Sequence, residues 1–319
     1  MNKSRHPEPR HVGVDLGGTK ILARMVDPVT GRATGRRKAP TPRSGTADVL
    51  KAVASAVQDL DGFEDAVAIG IGVPGFVVDR TTVVRCTNIN GWDKPIDVGR
   101  RLSKKLGKPV VVGNDVDCGA LAEHRLGAGK GVDDLLAVFV GTGVGGGLVL
   151  NGSVVEGPRG MVGEIGHLTV EAGGRICGCG GRGHLEAYAG RAGIDRRARE
   201  LAAGGRSSLL VDLAGSSAIK SRHLSRALDE GDDVARELVS EAVDALALTI
   251  GNTATLLDLE RVVLGGGVVD KLGQPFVDRI AESATFGGFG SDMCELKLAE
   301  RLDDAGVAGA AILAADLIG

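Results

Sequence analysis

The sequence predicts an α/β protein of two lobes, and three observations carry that expectation. Its 319 residues are about twice a common single-domain length. Short apolar runs with strand character alternate with stretches of helical spacing. The order strand, glycine turn, strand occurs near residue 15 and again near residue 140, which suggests a duplicated α/β unit with a cleft between the copies. Glycine contributes 51 residues with no Gly-X-Y period, and 43% of the chain is hydrophobic. That composition excludes a collagen-like or disordered chain and points to tight turns and close backbone approaches.

Residues 1–10 are polar and read as a disordered tail without the apolar core of a secretory signal. Stretches 11–16, 21–26 and 32–40 form a three-stranded antiparallel start around the turn GGTK. Val49, Val53, Val57 and Leu60 recur at helical spacing and mark a helix over 47–60. A continuously apolar strand at 66–73, a helix over 96–106 and a strand at 109–112 follow, then a helix opening at Asp115. The strand at 135–140 runs into GTGVGGG at 141–147, with a returning strand at 148–155. Helices are expected over 185–203 and 234–257, with a buried strand at 261–264 between the second of them and a glycine triplet. The closing GVAGAAILAADLI reads as a small-residue helix able to pack closely against a neighbour. One lobe is expected over 11–114, completed by 305–319, and the other over 115–304, carrying a loop segment at 163–186.

Charge and composition narrow the function. The chain has 38 basic and 41 acidic residues, net −3, and 3% aromatics. Neither a phosphate-gripping surface nor a base-stacking one is expected, so no nucleic-acid partner is. The longest uncharged stretch, 135–155, has five glycines in seven residues at its centre, which makes a poor membrane helix. Five cysteines, an odd number, do not make a disulfide framework and suit a reducing cytoplasm.

The pattern GxGxxG starts at Gly70, Gly141 and Gly178, but none of the three has a strand before it and a helix after it. The Walker pattern GxxxxGK[ST] is absent. In DLGGTK, Asp15 ends a strand and Gly17, Gly18 and Thr19 make a turn followed by Lys20. This is either an ordinary hairpin or a cradle of N–H groups facing a phosphate, with a carboxylate beside it for hydrated Mg²⁺. Gly141, Thr142, Gly143, Gly145 and Gly146 offer a second such turn, and Gly265, Gly266 and Gly267 a third place for backbone to approach a flat ligand. Together the three suggest a nucleotide cleft.

Asn114 and Asp115 lie between a strand and a helix, so Asp115 is either the helix N-cap or an ionised carboxylate facing the cleft. In the second role it accepts the proton of a hydroxyl attacking phosphorus. GEIGH places Glu164 and His167 three residues apart, and CGCGGRGHLE adds Cys177, Cys179, His184 and Glu186. Two thiols and two imidazoles within so short a span suit tetrahedral Zn²⁺; the alternative is two unconnected thiols in a flexible turn. The basic run at 31–38 reads as a solvated hairpin, and the single Trp92 as either core or a platform for a sugar ring.

These pieces, in this order, resemble the ROK family: DLGGTK, GVPGFVVD at 72–79, TNINGW at 87–92, GNDVDCGALAE at 113–123, VFVGTGVGGGLVLNG, GPRGMVGEIGHLTV, the CxC cluster, VVLGGGVV and GVAGAAILA. The resemblance implies a two-lobed actin-like, hexokinase-type ATPase fold with a central cleft. It implies a sugar kinase that moves the γ-phosphoryl of ATP, with Mg²⁺, to the 6-hydroxyl of a hexose, glucose first among several family sugars. Polyphosphate is an alternative donor. It makes Asp115 the catalytic base and places Gly75, Asn88, Asn114, Asp115, Glu164, His167 and Glu186 against the sugar hydroxyls. DLGGTK and GTGVGGG become the phosphate loops and LGGGVV the adenosine contact. His167, Cys177 and Cys179 match ligands of a structural Zn²⁺; His184 stands where the family has a fourth cysteine, and Asn90 where many members have proline. Family regulators carry a helix–turn–helix segment ahead of this part, and only fourteen residues precede Asp15, so a kinase is expected. A homodimer or homotetramer is implied as well.

Overall fold

The computed structural model describes residues 10–86, 88–284, 294–300 and 304–318, so all of the expected tail but Arg10 lies outside the described residues. The chain divides into two compact units, one of 1–131, 147–162 and 303–319, the other of 132–146 and 163–302. The boundary expected at 114 therefore moves to 131, because the helix that opens at Asp115 packs on the C-terminal helix.

In the first unit, β1 (His11–Leu16), β2 (Lys20–Val26) and β3 (Ala33–Pro40) form the expected antiparallel start, and β4 (Ala68–Val73) adds in parallel to β1. A small antiparallel sheet of β5 (Phe76–Val78), β6 (Thr82–Arg85) and β7 (Ile96–Asp97), not foreseen, precedes β8 (Val110–Asn114), which pairs in parallel with β4. All six residues of β4 are buried, the pattern of a central parallel strand. Helix α1 (Thr46–Gln58) buries Val49, Val53 and Val57 as the spacing predicted. Helix α2 (Val98–Leu106) is capped by Asp97, whose side chain accepts from the Arg100 N–H, and ends at left-handed Gly107. Helix α3 (Asp115–Leu126) follows β8 at once.

The second unit is built on β9 (Leu135–Val140). Strand β10 (Val144–Leu150) begins in this unit and ends in the first, where β11 (Ser153–Val154) pairs with its end. Helices α4 (Glu186–Ala189), α5 (Arg191–Ala203), α6 (Leu209–Ala214), α7 (Ser221–Asp229) and α8 (Asp233–Leu257) lead to β12 (Arg261–Gly265), parallel to β9. Helices α9 (Val269–Leu272) and α10 (Gln274–Ser283) and strand β13 (Glu295–Leu298), parallel to β12, complete it. The helix expected over 185–203 breaks at Gly190, whose backbone is extended (φ −67°, ψ 138°) and where a Cβ would lie 2.7 Å from the Glu186 carbonyl oxygen. The turn expected over 141–147 ends by residue 143, so glycines 145–147 lie in a strand. They serve close approach there: a Cβ on Gly146 would meet the Gly163 carbonyl oxygen at 2.8 Å, and one on Gly147 the Ala120 Cβ at 2.6 Å. Among the described residues no helix is long and apolar enough to cross a membrane.

The C-terminal helix α11 (Ala305–Ile318) lies against the first sheet and α3. Gly13 and Gly70 are register partners on β1 and β4. A Cβ on Gly13 would stand 1.9 Å from the Val307 carbonyl oxygen, and one on Gly70 only 1.7 Å from that of Ala310. On the other side of the helix, a Cβ on Gly309 would lie 1.6 Å from the Cys118 carbonyl oxygen in α3. Backbone touches backbone here, so a single methyl has nowhere to go. Gly70→Ala is therefore expected to lower unfolding free energy in urea by roughly 1–3 kcal/mol or more, whereas a loss under about 0.5 kcal/mol would contradict this packing.

Candidate active site

The first glycine turn is held from below. Gly17 N–H donates to the Lys20 carbonyl at 2.9 Å, Thr41 Oγ1 to the Gly17 carbonyl at 2.6 Å, and Thr41 N–H to the Thr19 carbonyl at 3.1 Å. At Gly18 a Cβ would lie 2.6 Å from the Asn88 carbonyl oxygen, so only glycine lets the turn meet that loop. A cavity of about 590 Å³ opens beside them. The turn residues Gly17, Gly18 and Thr19 line it together with Arg43, Asn88 and Asp115. Three motifs far apart in sequence thus meet within the first unit, in a space of the size small-molecule sites occupy. Burial pushes the Asp15 carboxyl above its ordinary value against the pull of Lys20.

Asn114, not Asp115, caps α3. Its Oδ1 accepts from the N–H groups of Val116 at 2.7 Å and Asp117 at 3.2 Å, and its Nδ2 donates to the Gly75 carbonyl at 3.1 Å. The capping reading of Asp115 falls away. Asp115 is the first helical residue, accepts from the Val116 N–H at 2.9 Å and borders the cavity at the positive end of the helix. Gly75 is required where it stands, since a Cβ would meet the Arg85 carbonyl oxygen at 2.4 Å. Trp92 is fully buried and belongs to the core, so it is no ring platform. In the basic run, Arg37 pairs with exposed Asp61 at 3.4 Å, as a solvated hairpin would.

In the second unit, the loop Gly141–Thr142–Gly143 is braced by Arg191, which the sequence reading missed. Arg191 N–H donates to the Gly141 carbonyl at 3.1 Å, while its guanidinium donates to Thr142 Oγ1 and the Ile219 carbonyl, both at 2.6 Å. The one sequence signal was an Arg directly after the glycine that breaks the helix. Glu186 reaches the same loop: its Oε2 accepts the Val144 N–H at 3.1 Å, and a Cβ on Gly143 would lie 2.1 Å from that oxygen. Its Oε1 accepts from the Cys177 thiol at 3.5 Å, so both carboxylate oxygens are engaged inside the protein. Glu164 faces His167 Nε2 at 3.6 Å; burial raises its carboxyl, with His167 pulling down and Glu186 adding to the rise. In the glycine triplet, Gly266 adopts φ 90°, and a Cβ there would lie 2.7 Å from the Val140 carbonyl oxygen. Val268 N–H donates to that carbonyl at 3.0 Å, which leaves Gly267 exposed at the end of β12.

His167, Cys177, Cys179 and His184 each turn one donor atom inward, and the four atoms lie within 4.8 Å of one another. Cys177 Sγ is 3.8 Å from His167 Nδ1 and Cys179 Sγ 3.2 Å from His184 Nδ1. Burial pushes the Cys177 thiol up to about 11, a cost that a divalent cation would reverse. The set is compatible with Zn²⁺ in number, donor type and spacing, with His184 filling the fourth place. The surrounding loop is pinned by a two-oxygen ion pair of Arg175 with Glu241 at 2.7 and 2.8 Å and by Tyr188, which bonds Glu171 and the Arg175 N–H.

A model described as the ROK family matches residues 11–317. A glucokinase of Thermotoga maritima is 33% identical over 98% of this chain and 99% of its own length. Among solved structures, a ROK hexokinase from Thermus thermophilus is 34% identical with a TM-score of 0.83, over 96% of this chain and 98% of that one. A ROK family glucokinase from Streptomyces griseus, solved in complex with glucose and AMPPNP, is 34% identical with a TM-score of 0.77, over 96% of this chain and 99% of that one. The likeness bears out the expected α/β fold of hexokinase type.

The capping geometry makes a direct test. Asn114→Ala should lower stability by about 1 kcal/mol, and Asp115→Asn by less than about 0.5 kcal/mol, both read from thermal unfolding. The reverse order would return the cap to Asp115.

Proposed function

The chain belongs to the ROK family, and on that footing we propose that it is an ATP-dependent glucokinase. The observation that carries the reading is Asp115: Asn114 does the capping, and Asp115 shares one cavity with the glycine turn and Asn88. A hexose in that cavity brings a hydroxyl to the Asp115 carboxylate. As the sugar oxygen bonds to the γ-phosphorus, the bond from that phosphorus to the β–γ bridging oxygen breaks, and the hydroxyl proton passes to Asp115. The N–H groups at Gly18 and Thr19, and those of the loop braced by Arg191, orient phosphate oxygens. Gly265, Gly266 and Gly267 leave room for the flat adenosine.

Asn88 and the remaining Nδ2 proton of Asn114 serve as hydroxyl donors, and Glu164 and His167 as further sugar contacts. Glu186 keeps the Val144 N–H in place through its Oε2. Mg²⁺, when bound, neutralises phosphate charge, and the half-buried Asp15 carboxylate suits its hydration shell. A structural Zn²⁺ would be held by His167, Cys177, Cys179 and His184 and would fix the loop that carries His167. Thiol ligands of this kind fit a cytoplasmic setting. Assembly as a homodimer or homotetramer is part of the same reading.

Coupled assays of glucose and other hexoses with MgATP are expected to show glucose turnover; a folded protein inert toward every hexose and hexosamine would end the proposal. Asp115→Asn keeps shape and hydrogen bonding but removes the proton acceptor, so kcat should fall about 10²- to 10⁴-fold with glucose Kd nearly unchanged. A variant keeping more than about a tenth of wild-type kcat rules out Asp115 as base. Elemental analysis should find about one Zn²⁺ per chain, reduced in His184→Ala; metal-free protein prepared without chelator would refute the zinc site.

A further inference from the structure

The segment at 41–46 crosses between the two loops that form the cavity and is tied to both. Thr41 holds the Gly17 and Thr19 carbonyls on one side. On the other, Asn90 Nδ2 donates to the Arg43 carbonyl at 3.3 Å and Thr46 Oγ1 to the Gly91 carbonyl at 3.2 Å. Arg43 therefore stands on a backbone fixed at the junction of the phosphate-type turn and the Asn88 loop, with Pro42 stiffening the approach. It lines the same cavity as Asp115. Whereas Arg24, Arg37 and Arg80 are each held by a carboxylate, Arg43 makes no ion pair among the described residues. An arginine on an anchored backbone, bordering a cavity and without an acid to satisfy it, is arranged to receive an anion.

We propose that Arg43 grips the phosphoryl group once it is carried by the sugar, and so discriminates the phosphorylated sugar from the free one. The inference rests on the kinase reading above and adds a residue to it. In the transfer step, Arg43 exchanges no proton: the sugar oxygen gains the phosphorus, the nucleotide's bridging oxygen leaves, Asp115 takes the hydroxyl proton, and the guanidinium balances charge on the transferred oxygens. Asn90 acts as a positioning residue, because its amide sets where the Arg43 backbone sits.

The test is calorimetric binding of glucose and of glucose 6-phosphate to the full chain, which needs no turnover. In R43A, affinity for glucose 6-phosphate should fall roughly ten- to a hundredfold, the range for a lost charge-assisted contact, while glucose Kd changes less than about twofold. R43K should recover part of the loss, since a point charge replaces a two-pronged donor. N90A should weaken glucose 6-phosphate by a smaller factor with the guanidinium still present. Equal loss of both ligands in R43A would assign Arg43 a merely structural role and overturn the proposal, as would glucose 6-phosphate binding that R43A leaves unchanged. If wild-type protein phosphorylates no sugar yet R43A still loses the sugar phosphate selectively, the kinase reading fails and the Arg43 assignment stands.

Discussion

The close seat of α11 on the first sheet is the constraint on which the rest of the first unit depends. Three glycines let it happen, Gly13 and Gly70 on neighbouring strands and Gly309 in the helix itself. Strands β1, β4 and β8 run directly into residues that line the cavity: Gly17, Pro74 and Asp115. Because α11 touches the strands on one side and α3 on the other, the strand ends and the α3 N-terminus are set by one packed body. Close-packed interiors transmit displacement, so a shift of α11 would move the acid and the glycine turn relative to one another. Small side chains such as Ala308, Ala310, Ala311 and Ala314 fill the interface where larger ones would hold the backbones apart.

The same device recurs in the second unit. Glycines at 143 and 166 bring the loop after β9 onto the Glu186 carboxylate and the GEIGH segment onto Val144. Much of the chain's glycine thus serves contact between backbones rather than chain reversal. In this setting polar groups have to be satisfied within the protein, and Asn114, Glu186 and Arg191 each bond two separate segments. Each such side chain fixes a loop by more than its own contact.

The Cys/His loop shows how four donor atoms are brought together by residues outside their own cluster. The Arg175–Glu241 pair and Tyr188 hold the loop from outside the cluster, so the four donors converge on loop geometry that other residues support. With Nδ1 of His167 toward Cys177 and Nε2 toward Glu164, one imidazole faces the cluster and a carboxylate at once.

Local sequence was enough for elements whose cause is local. The antiparallel start, the Val49–Val53–Val57 stripe of α1, the long α8 and the small-residue α11 follow from periodicity and side-chain size, and the structure has them. The glycine turns, the Asn114–Asp115 junction and the Cys/His spacing were legible for the same reason: each is a short run of distinctive residue types. Strand placement of glycines 145–147, the break at Gly190, the cap at Asn114 and the roles of Thr41, Arg43 and Arg191 were not. Those depend on carbonyls and amides many residues away, and a residue's neighbours in sequence say nothing about which distant backbone will come within 3 Å of it. The sequence by itself determined the elements whose cause is local, such as β1, β2, α1, α8 and α11, and which residue types are candidates for chemistry. Only tertiary packing decided which glycine turns and which approaches, and which of two adjacent polar residues caps the helix while the other faces the cavity.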